Sequence, residues 1–346
     1  MIYFNSDYLE GAHPAIMEKL METNMVQTVG YGEDEYCALA REKIKQACQA
    51  PDADVHFLVG GTLTNTTVIA SILRPYQGVI TAKSGHINCH ETGAIESSGH
   101  KVLALPSDDG KITAKQVEEY FLWHRDNPDY EHIVMPGMVY ISYPTEGGTL
   151  YSKQELQDIF AVCQKYELPL FIDGARLGYG LMSDESDLTL PELARLCDVF
   201  YIGGNKQGAL FGEAVVIMNP DLKKHFRFFM KQRGGMLAKG RLLGIQFDTL
   251  FTDDLYFKIS RHAIEMAHQI REIFVSAGYP LFFDSPTNQQ YPIIPDDELA
   301  ILSKNFGSEY WERVDATHSA IRFCANWATT QENVDALREA VNNLKK

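Results

Sequence analysis

The sequence predicts an α/β protein with a large domain on a mostly parallel sheet and a smaller α+β domain at the C-terminal end. Two observations carry this prediction. Residues from about 50 to 220 alternate short apolar runs with helix-like stretches, whereas the chain beyond residue 252 opens with a long helix-like stretch followed by strands. Alternation is typical of a parallel sheet with right-handed crossovers. Ligands of such sheets bind beyond the carboxyl ends of the strands.

The elements of the large domain follow in chain order. Each short apolar run predicts a strand, and each longer stretch between two runs predicts a helix. Strands are predicted over residues 55–59, 79–81, 102–105, 139–143, 170–172, 199–202 and 214–218. Helices are predicted over residues 62–74, 86–97, 114–124, 153–166 and 190–196.

The C-terminal part has a different pattern. Long helices are predicted over 236–251 and 255–277, strands over 280–283, 291–295 and 320–324, and a final helix over 332–345. The pair Asp253-Asp254 marks a junction. We therefore predict a cofactor-binding large domain over residues 1–252 and a small domain over 253–346, with the N-terminal arm packed on the small domain.

Composition excludes several classes of function. A net charge of −15 over 346 residues argues against a nucleic-acid partner. No apolar run approaches the roughly 20 residues of a membrane span, so no membrane association is predicted. The first residues lack the pattern of a signal peptide, and the six cysteines show no CxxC spacing. We therefore expect reduced thiols, a cytoplasmic location and no metal site.

Asp173 and Lys206 are the most informative residues of the chain. Each follows an apolar run that predicts a buried strand, and buried charges are costly unless they are paired. Pyridoxal phosphate requires such a pair: a lysine to form a Schiff base and an acid to keep the pyridine nitrogen protonated. The alternatives are an aspartate that caps the following segment and a lysine in a surface loop. Neither alternative explains the Gly203-Gly204 pair and the short apolar strand before Lys206.

Three other segments add to this hypothesis. Gly60-Gly61-Thr62 lies between a predicted strand and a helix, where glycines and free N–H groups bind phosphate, or where Thr62 caps a plain turn. His86 follows the next strand and could stack on a planar ring; His90 lies one helical turn further and could face solvent. Arg176 and Arg322 could each bind a carboxylate, although Arg322 could equally be an edge-strand residue with its head in water.

Taken in this order, these residues resemble the threonine aldolase family, within the aspartate-aminotransferase-like (type I) pyridoxal phosphate enzymes. The resemblance covers most of the chain. Its most specific part is the tetrapeptide Asp173-Gly174-Ala175-Arg176 combined with Lys206. The other matching positions are Ser6-Asp7, Tyr31-Gly32-Glu33-Asp34-Glu35, Gly60-Gly61-Thr62, His86, Gly208, Phe211-Gly212-Glu213-Ala214 and Arg322.

The resemblance implies a pyridoxal phosphate enzyme that cleaves L-threonine, L-allo-threonine and related β-hydroxy-α-amino acids to glycine and an aldehyde. It implies that Lys206 carries the cofactor and that Gly61, Thr62, His86, Asp173 and Arg176 bind it. It implies that Ser6, Arg176 and Arg322 bind the substrate carboxylate.

The base for the β-hydroxyl stays open between His86, Glu146 and a water between them. Glu146 stands where some members of the family carry a histidine. The alternative is that Glu146 merely ends a loop with its carboxylate in solvent. Another type I reaction, such as β-elimination, racemisation or transamination, is the alternative activity. Type I enzymes usually build sites across a dimer interface, which implies a homodimer or homotetramer.

Overall fold

The computed structural model describes residues 1–345, which form sheets of seven, four and two strands with helices packed against them. The strands are β1 (Ile2–Tyr3), β2 (Asp54–Leu58), β3 (Gln77–Ala82), β4 (Lys101–Leu105), β5 (Met135–Ser142), β6 (Leu170–Asp173), β7 (Val199–Gly203), β8 (Glu213–Ile217), β9 (Gln289–Gln290), β10 (Ile293–Pro295), β11 (Phe306–Gly307), β12 (Glu309–Arg313) and β13 (His318–Cys324).

The helices are numbered in chain order like the strands. They are α1 (Pro14–Thr23), α2 (Glu35–Ala47), α3 (Gly61–Ile72), α4 (His86–Cys89), α5 (Ala94–Ser97), α6 (Ala114–Arg125), α7 (Lys153–Lys165), α8 (Leu177–Leu181), α9 (Leu190–Arg195), α10 (Phe226–Gln232), α11 (Arg241–Leu250), α12 (Leu255–Ser276), α13 (Asp296–Leu302) and α14 (Gln331–Leu344). Short 3-10 turns cover Tyr130–His132 and Pro220–Leu222.

The central sheet has seven strands in the order β2-β8-β7-β6-β5-β3-β4. Only β8 runs against its neighbours, so the other six strands point the same way and their carboxyl ends meet at one edge. Strands β6, β7 and β8 are buried along their whole length, because separate apolar clusters cover the two faces of the sheet. The predicted α/β class with a mostly parallel sheet is confirmed.

The structure corrects three predicted elements. The helix predicted over 86–97 is two short helices, α4 and α5, because Thr92 and Gly93 adopt left-handed φ angles of 53° and 71° between them. The helix predicted from residue 236 begins only at Arg241. The strand predicted over 280–283 is reduced to an isolated bridge between Leu281 and Pro292.

The N-terminal arm joins the C-terminal body. β1 pairs in parallel with β11, and the carbonyl of Phe4 accepts a 2.6 Å hydrogen bond from the amide of Cys324 at the end of β13. Phe4 is buried in an apolar cluster with residues of α12, β13 and α14. This anchoring carries Ser6 and Asp7 toward the edge of the central sheet. The division into domains at residue 252 stays a prediction.

Candidate active site

A pocket of about 410 Å³ opens at the edge of the central sheet where the parallel strands end. Most of the predicted site residues line it: His86, Glu146, Arg176, Lys206 and Arg322. The wall is completed by residues that the sequence analysis left out or left open: Tyr8, His90, Glu309, Tyr310 and Trp311. Positions as distant in the chain as 8 and 322 therefore meet in one cavity.

Lys206 follows β7 and extends its side chain into this pocket. Within residues 1–345 its ammonium makes no hydrogen bond, while its carbonyl accepts one from the buried Tyr179 hydroxyl. Burial and the charge of Arg176 lower the pKa of Lys206 below its usual 10.5. The preceding glycines serve close packing, because a Cβ on Gly203 would lie 2.4 Å from the carbonyl oxygen of Ala175. Lys206 is thus placed and tuned as a nucleophile.

Asp173 lies at the end of β6 with only 4% of its surface exposed. Its Oδ1 accepts hydrogen bonds from the Tyr201 hydroxyl at 2.5 Å and the Ala175 amide at 3.0 Å. Its Oδ2 accepts from the Tyr140 hydroxyl at 2.5 Å and from Asn65 Nδ2 at 3.2 Å. The hydrogen bond to the Ala175 amide agrees with the alternative that Asp173 caps the following segment. A capping role does not account for the other three hydrogen bonds, from two tyrosines and an asparagine.

The charge on Asp173 is stabilised by these neighbours. Burial opposes ionisation, but the charge of His86 and the two tyrosine hydroxyls outweigh it and hold the pKa of Asp173 below 3.8. Asp173 is therefore a buried anion whose charge acts on His86 and Lys206, two residues that line the pocket. Such an anion suits a group that carries a protonated ring nitrogen.

His86 is oriented by a buried carboxylate. Its Nδ1 lies 2.9 Å from Oε1 of Glu91, whose side chain is fully buried and also accepts a 2.7 Å bond from Asn65. Burial opposes protonation, but the Glu91 hydrogen bond and the charge of Asp173 outweigh it and raise the pKa of His86 above 6.5. Because Nδ1 is engaged, Nε2 is the nitrogen left for the pocket. His90 is exposed beside it, with the two ring centroids 5.6 Å apart.

Glu146 follows β5 and is not a loop carboxylate in solvent. Its Oε1 accepts hydrogen bonds from the Ser142 hydroxyl at 2.7 Å and from the backbone amide of His86 at 2.8 Å. Its Oε2 makes no hydrogen bond within residues 1–345, and Glu146 lines the pocket. Burial raises the pKa of Glu146 above 4.5. The structure therefore places Glu146 beside His86, and the base stays open between His86, Glu146 and a water between them.

The start of α3 lies near Lys206, although no residue of α3 lines the pocket. Gly60 precedes the helix in an extended conformation, and no side chain caps the first turn. The amides of Gly61 and Thr62 therefore have no acceptor within residues 1–345, and Thr62 is exposed. A Cβ on Gly60 would lie 3.9 Å from the side-chain nitrogen of Asn205, so the helix start reaches the residue before Lys206. Free N–H groups at a helix N-terminus favour an anion such as phosphate.

Arg176 is committed to a partner that the sequence analysis did not assign. Its Nε and Nη2 donate to the two carboxylate oxygens of Asp7 at 2.7 and 3.0 Å, and Asn288 donates to Asp7 at 2.9 Å. Asp7 is fully buried and 12% of the Arg176 side chain is exposed. Arg176 also lines the pocket. Its Nη1 makes no hydrogen bond within the described residues, so it can still bind a ligand.

Arg322 lies on β13, which is the middle strand between β10 and β12. The alternative of an edge-strand arginine in solvent is therefore wrong, and only 12% of its side chain is exposed. Its Nη2 donates to Oε2 of Glu309 at 2.6 Å.

The hydroxyl of Ser6 is buried without a hydrogen-bond partner in residues 1–345. An unpaired buried donor of this kind points to a ligand.

Sequence analysis missed the residues that form hydrogen bonds to the predicted site residues and fix their positions. Tyr140 and Tyr201 lie inside apolar strands, where a buried phenolic hydroxyl needs a hydrogen-bond partner. A tyrosine at such a position is a signal in the sequence that could have identified both residues. Glu91 comes five residues after His86 in a stretch of mixed polarity that gives no comparable indication. Asp7 binds an arginine 169 residues away in the chain, and Glu309 binds Arg322 as its cross-strand partner on β13.

This arrangement fits pyridoxal phosphate. Lys206 lines the pocket as a nucleophile, whereas the buried anion of Asp173, the uncapped start of α3 and the unpartnered Ser6 hydroxyl do not line it but lie near residues that belong to the site. The fold and the site together define a pyridoxal-phosphate-dependent enzyme of the type I fold.

Comparison with known proteins narrows this class. The profile of the family described as beta-eliminating lyase matches residues 4–340. The chain is 28% identical over 348 residues to a low specificity L-threonine aldolase of Pseudomonas aeruginosa, covering 99% of this chain and 96% of that protein. It is 42% identical to a threonine aldolase structure from Leishmania major, with a TM-score of 0.97 and 100% of both chains covered.

A histidinol-phosphate aminotransferase from Clostridium acetobutylicum shares the fold at 11% identity, with a TM-score of 0.73 and 100% and 99% of the two chains covered. The chain therefore belongs to the beta-eliminating lyase family and, within it, to the threonine aldolases. It is a pyridoxal-phosphate-dependent lyase. The predicted family, fold class and cofactor are confirmed. No helix in residues 1–345 has both the length and the apolar character to cross a bilayer.

Proposed function

We propose that this lyase cleaves the Cα–Cβ bond of L-threonine, L-allo-threonine and related β-hydroxy-α-amino acids to give glycine and an aldehyde. The observation that carries the proposal is that Glu146 and His86 both line the lysine pocket, with the Glu146 carboxylate hydrogen-bonded to the backbone amide of His86. A β-hydroxyl must lose its proton as the bond breaks, and this pair supplies a base with one free carboxylate oxygen and one free ring nitrogen.

Residues at the sheet edge and at the starts of α3 and α4 would hold the cofactor. Lys206 would form the bond to it, the first-turn amides of Gly61 and Thr62 would bind its phosphate, and Asp173 would stabilise a protonated ring nitrogen. His86 would contact the ring, and Arg176 has Nη1 available. Bound pyridoxal phosphate supplies an electron sink for a bond to the α-carbon of the amino acid.

The substrate carboxylate is placed by the small domain and the arm. Arg322 offers a guanidinium that is nearly buried, and the unpartnered Ser6 hydroxyl lies on the arm that Asp7 ties to Arg176. A carboxylate fixed by two such groups cannot rotate freely, so the Cα–Cβ bond is held in one orientation. Deprotonation of the β-hydroxyl by Glu146 or His86 then releases the aldehyde.

Two measurements test the proposal. Reduction of the cofactor-loaded protein with borohydride, followed by peptide mapping, should place the pyridoxyl mass on Lys206. L-Threonine and L-allo-threonine should each release acetaldehyde, detected by coupled oxidation of NADH with alcohol dehydrogenase. Pyruvate from serine without acetaldehyde from either threonine isomer would favour β-elimination, the alternative activity.

We also propose a homodimer or homotetramer in the cytoplasm. Large apolar side chains are exposed around one surface cavity, where Val29, Tyr31 and Phe228 are 68%, 46% and 75% exposed. Apolar patches of this kind are typical of contacts between subunits. All six cysteines are free, which favours a reducing compartment. Light scattering at several concentrations should give two or four times 39.0 kDa; a monomer would contradict the oligomer.

A further inference from the structure

The guanidinium of Arg322 has most of its donors engaged before any amino acid binds. Nη2 donates to Glu309 at 2.6 Å and to the carbonyl of Asn5 at 3.1 Å, which uses both of its hydrogens. Nη1 donates to Gln289 at 3.3 Å, and Nε is buried without a partner. A carboxylate that binds Arg322 with both oxygens uses Nη2 together with either Nη1 or the unpartnered Nε, so it needs a hydrogen of Nη2 in both cases. One of the present partners of Nη2 must leave to provide it.

Glu309 is the partner that can leave. The carbonyl of Asn5 belongs to the backbone of the anchored arm, whereas Glu309 is a side chain at the start of strand β12, which borders its sheet. Its side chain is 49% exposed, so its carboxylate can turn into water without losing solvation. The Asp7–Arg176 pair differs, because Asp7 is fully buried and has no such exit.

We propose that Glu309 is a specificity-determining residue that occupies the position on Arg322 taken by the α-carboxylate of the substrate. This inference rests on the proposed function only in assigning Arg322 to that carboxylate. Each amino acid must displace Glu309, so the ion pair lowers affinity for every ligand that carries an α-carboxylate. The displaced carboxylate remains at the pocket wall and repels a second anionic group, which disfavours acidic amino acids.

The test compares ligands with and without a carboxylate. Glycine and methylamine are titrated into the cofactor-loaded enzyme, and the absorbance of the cofactor reports binding. The variant is Glu309→Gln, which keeps the size of the side chain and removes its charge. The matched control is Glu312→Gln on the same strand, because Glu312 is exposed and forms no ion pair within residues 1–345.

Glu309→Gln should lower the Kd of glycine by up to about fivefold, as expected for a half-exposed ion pair, and should leave the Kd of methylamine unchanged. Glu312→Gln should leave both values unchanged. Weaker or unaltered glycine binding in Glu309→Gln would overturn the proposal, since Glu309 would then merely hold Arg322 in place. Equal tightening of methylamine would overturn it as well, because the effect would be one of overall charge.

The outcome is separable from that of the proposed function. Binding of glycine requires no cleavage, so the Glu309 result stands even if neither threonine isomer releases acetaldehyde. An absence of any glycine response in the wild-type enzyme would overturn the carboxylate site itself. A titration with L-aspartate tests the repulsion of a second anionic group. Glu309→Gln should lower the Kd of L-aspartate by a larger factor than the Kd of glycine, and an equal or smaller factor would contradict the repulsion.

Discussion

Replacement of Asp7 by asparagine is expected to destabilise the protein by about 3–5 kcal/mol, because it leaves a buried guanidinium without its counter-ion. Asp7 is fully buried and accepts two hydrogen bonds from Arg176 and one from Asn288. Only 12% of the Arg176 side chain is exposed, so water cannot replace the lost partner. The pair joins the N-terminal arm to the residue that follows β6.

The titration of Asp7 gives a second measure of the same interaction. Burial opposes its ionisation, but the charges of Arg176 and Lys206 and the hydrogen bonds from Arg176 and Asn288 outweigh it and lower the pKa to about 2 from 3.8. This difference corresponds to about 2 kcal/mol of stability. Since the folded-state pKa is the lower one, that stability is complete above pH 3.8 and is lost as the pH falls through 2.

Urea unfolding at a fixed protein concentration, followed by fluorescence, measures the effect in a double-mutant cycle. Asp7→Asn and Arg176→Leu should each be strongly destabilising, and the double variant should lose at least about 2 kcal/mol less than the sum of the two. The control is Asp184→Asn, because Asp184 pairs with Arg261 at 2.6 Å but is 69% exposed, and a loss below about 1 kcal/mol is expected there. A loss below about 1 kcal/mol for Asp7→Asn, or additive losses, would refute the reasoning.

Further predictions concern the pocket and the core. Asp173→Asn should retain cofactor absorbance but lose at least ~100-fold in kcat, because a neutral amide cannot hold a protonated ring nitrogen; near-normal turnover would make Asp173 a structural cap. Arg322→Leu should raise the KM for threonine steeply, by roughly 2–5 kcal/mol of binding, with cofactor absorbance unchanged; loss of the cofactor would place Arg322 elsewhere. Glu146→Gln should slow cleavage and alter the ratio of threonine to allo-threonine rates, and an unchanged ratio would leave His86 or water as the base. Burial, helped by nearby arginine charges, lowers the pKa of His56 to about 3 from 6.5. Stability should therefore fall as the pH drops below 6.5, by about 2 kcal/mol at pH 5, and thermal unfolding of His56→Phe should lack this component.

The sequence indicated the chemistry through residues whose type and local context are unusual. Buried charges are costly, and the sequence places a carboxylate after Leu170-Phe171-Ile172 and a lysine after Gly203-Gly204. A cofactor that pairs with both groups explains why they are there. The same local logic placed most strands, because apolar runs of four to eight residues have few alternatives in a parallel sheet. It failed over 86–97, where left-handed backbone at Thr92 and Gly93 interrupts a helix-like composition.

Partnership between distant residues was decided only by the tertiary structure. Nothing in the local sequence says that Asp7 binds Arg176, that Glu309 binds Arg322 or that Tyr140 and Tyr201 both donate to Asp173. Such contacts depend on strand order and on the path of the arm, which are set by the packing of the whole chain. The sequence by itself determined which groups react, since that follows from side-chain chemistry and burial. The structure determined which donors and acceptors those groups have left to offer a ligand, because hydrogen-bond capacity is consumed by neighbours that only folding brings together.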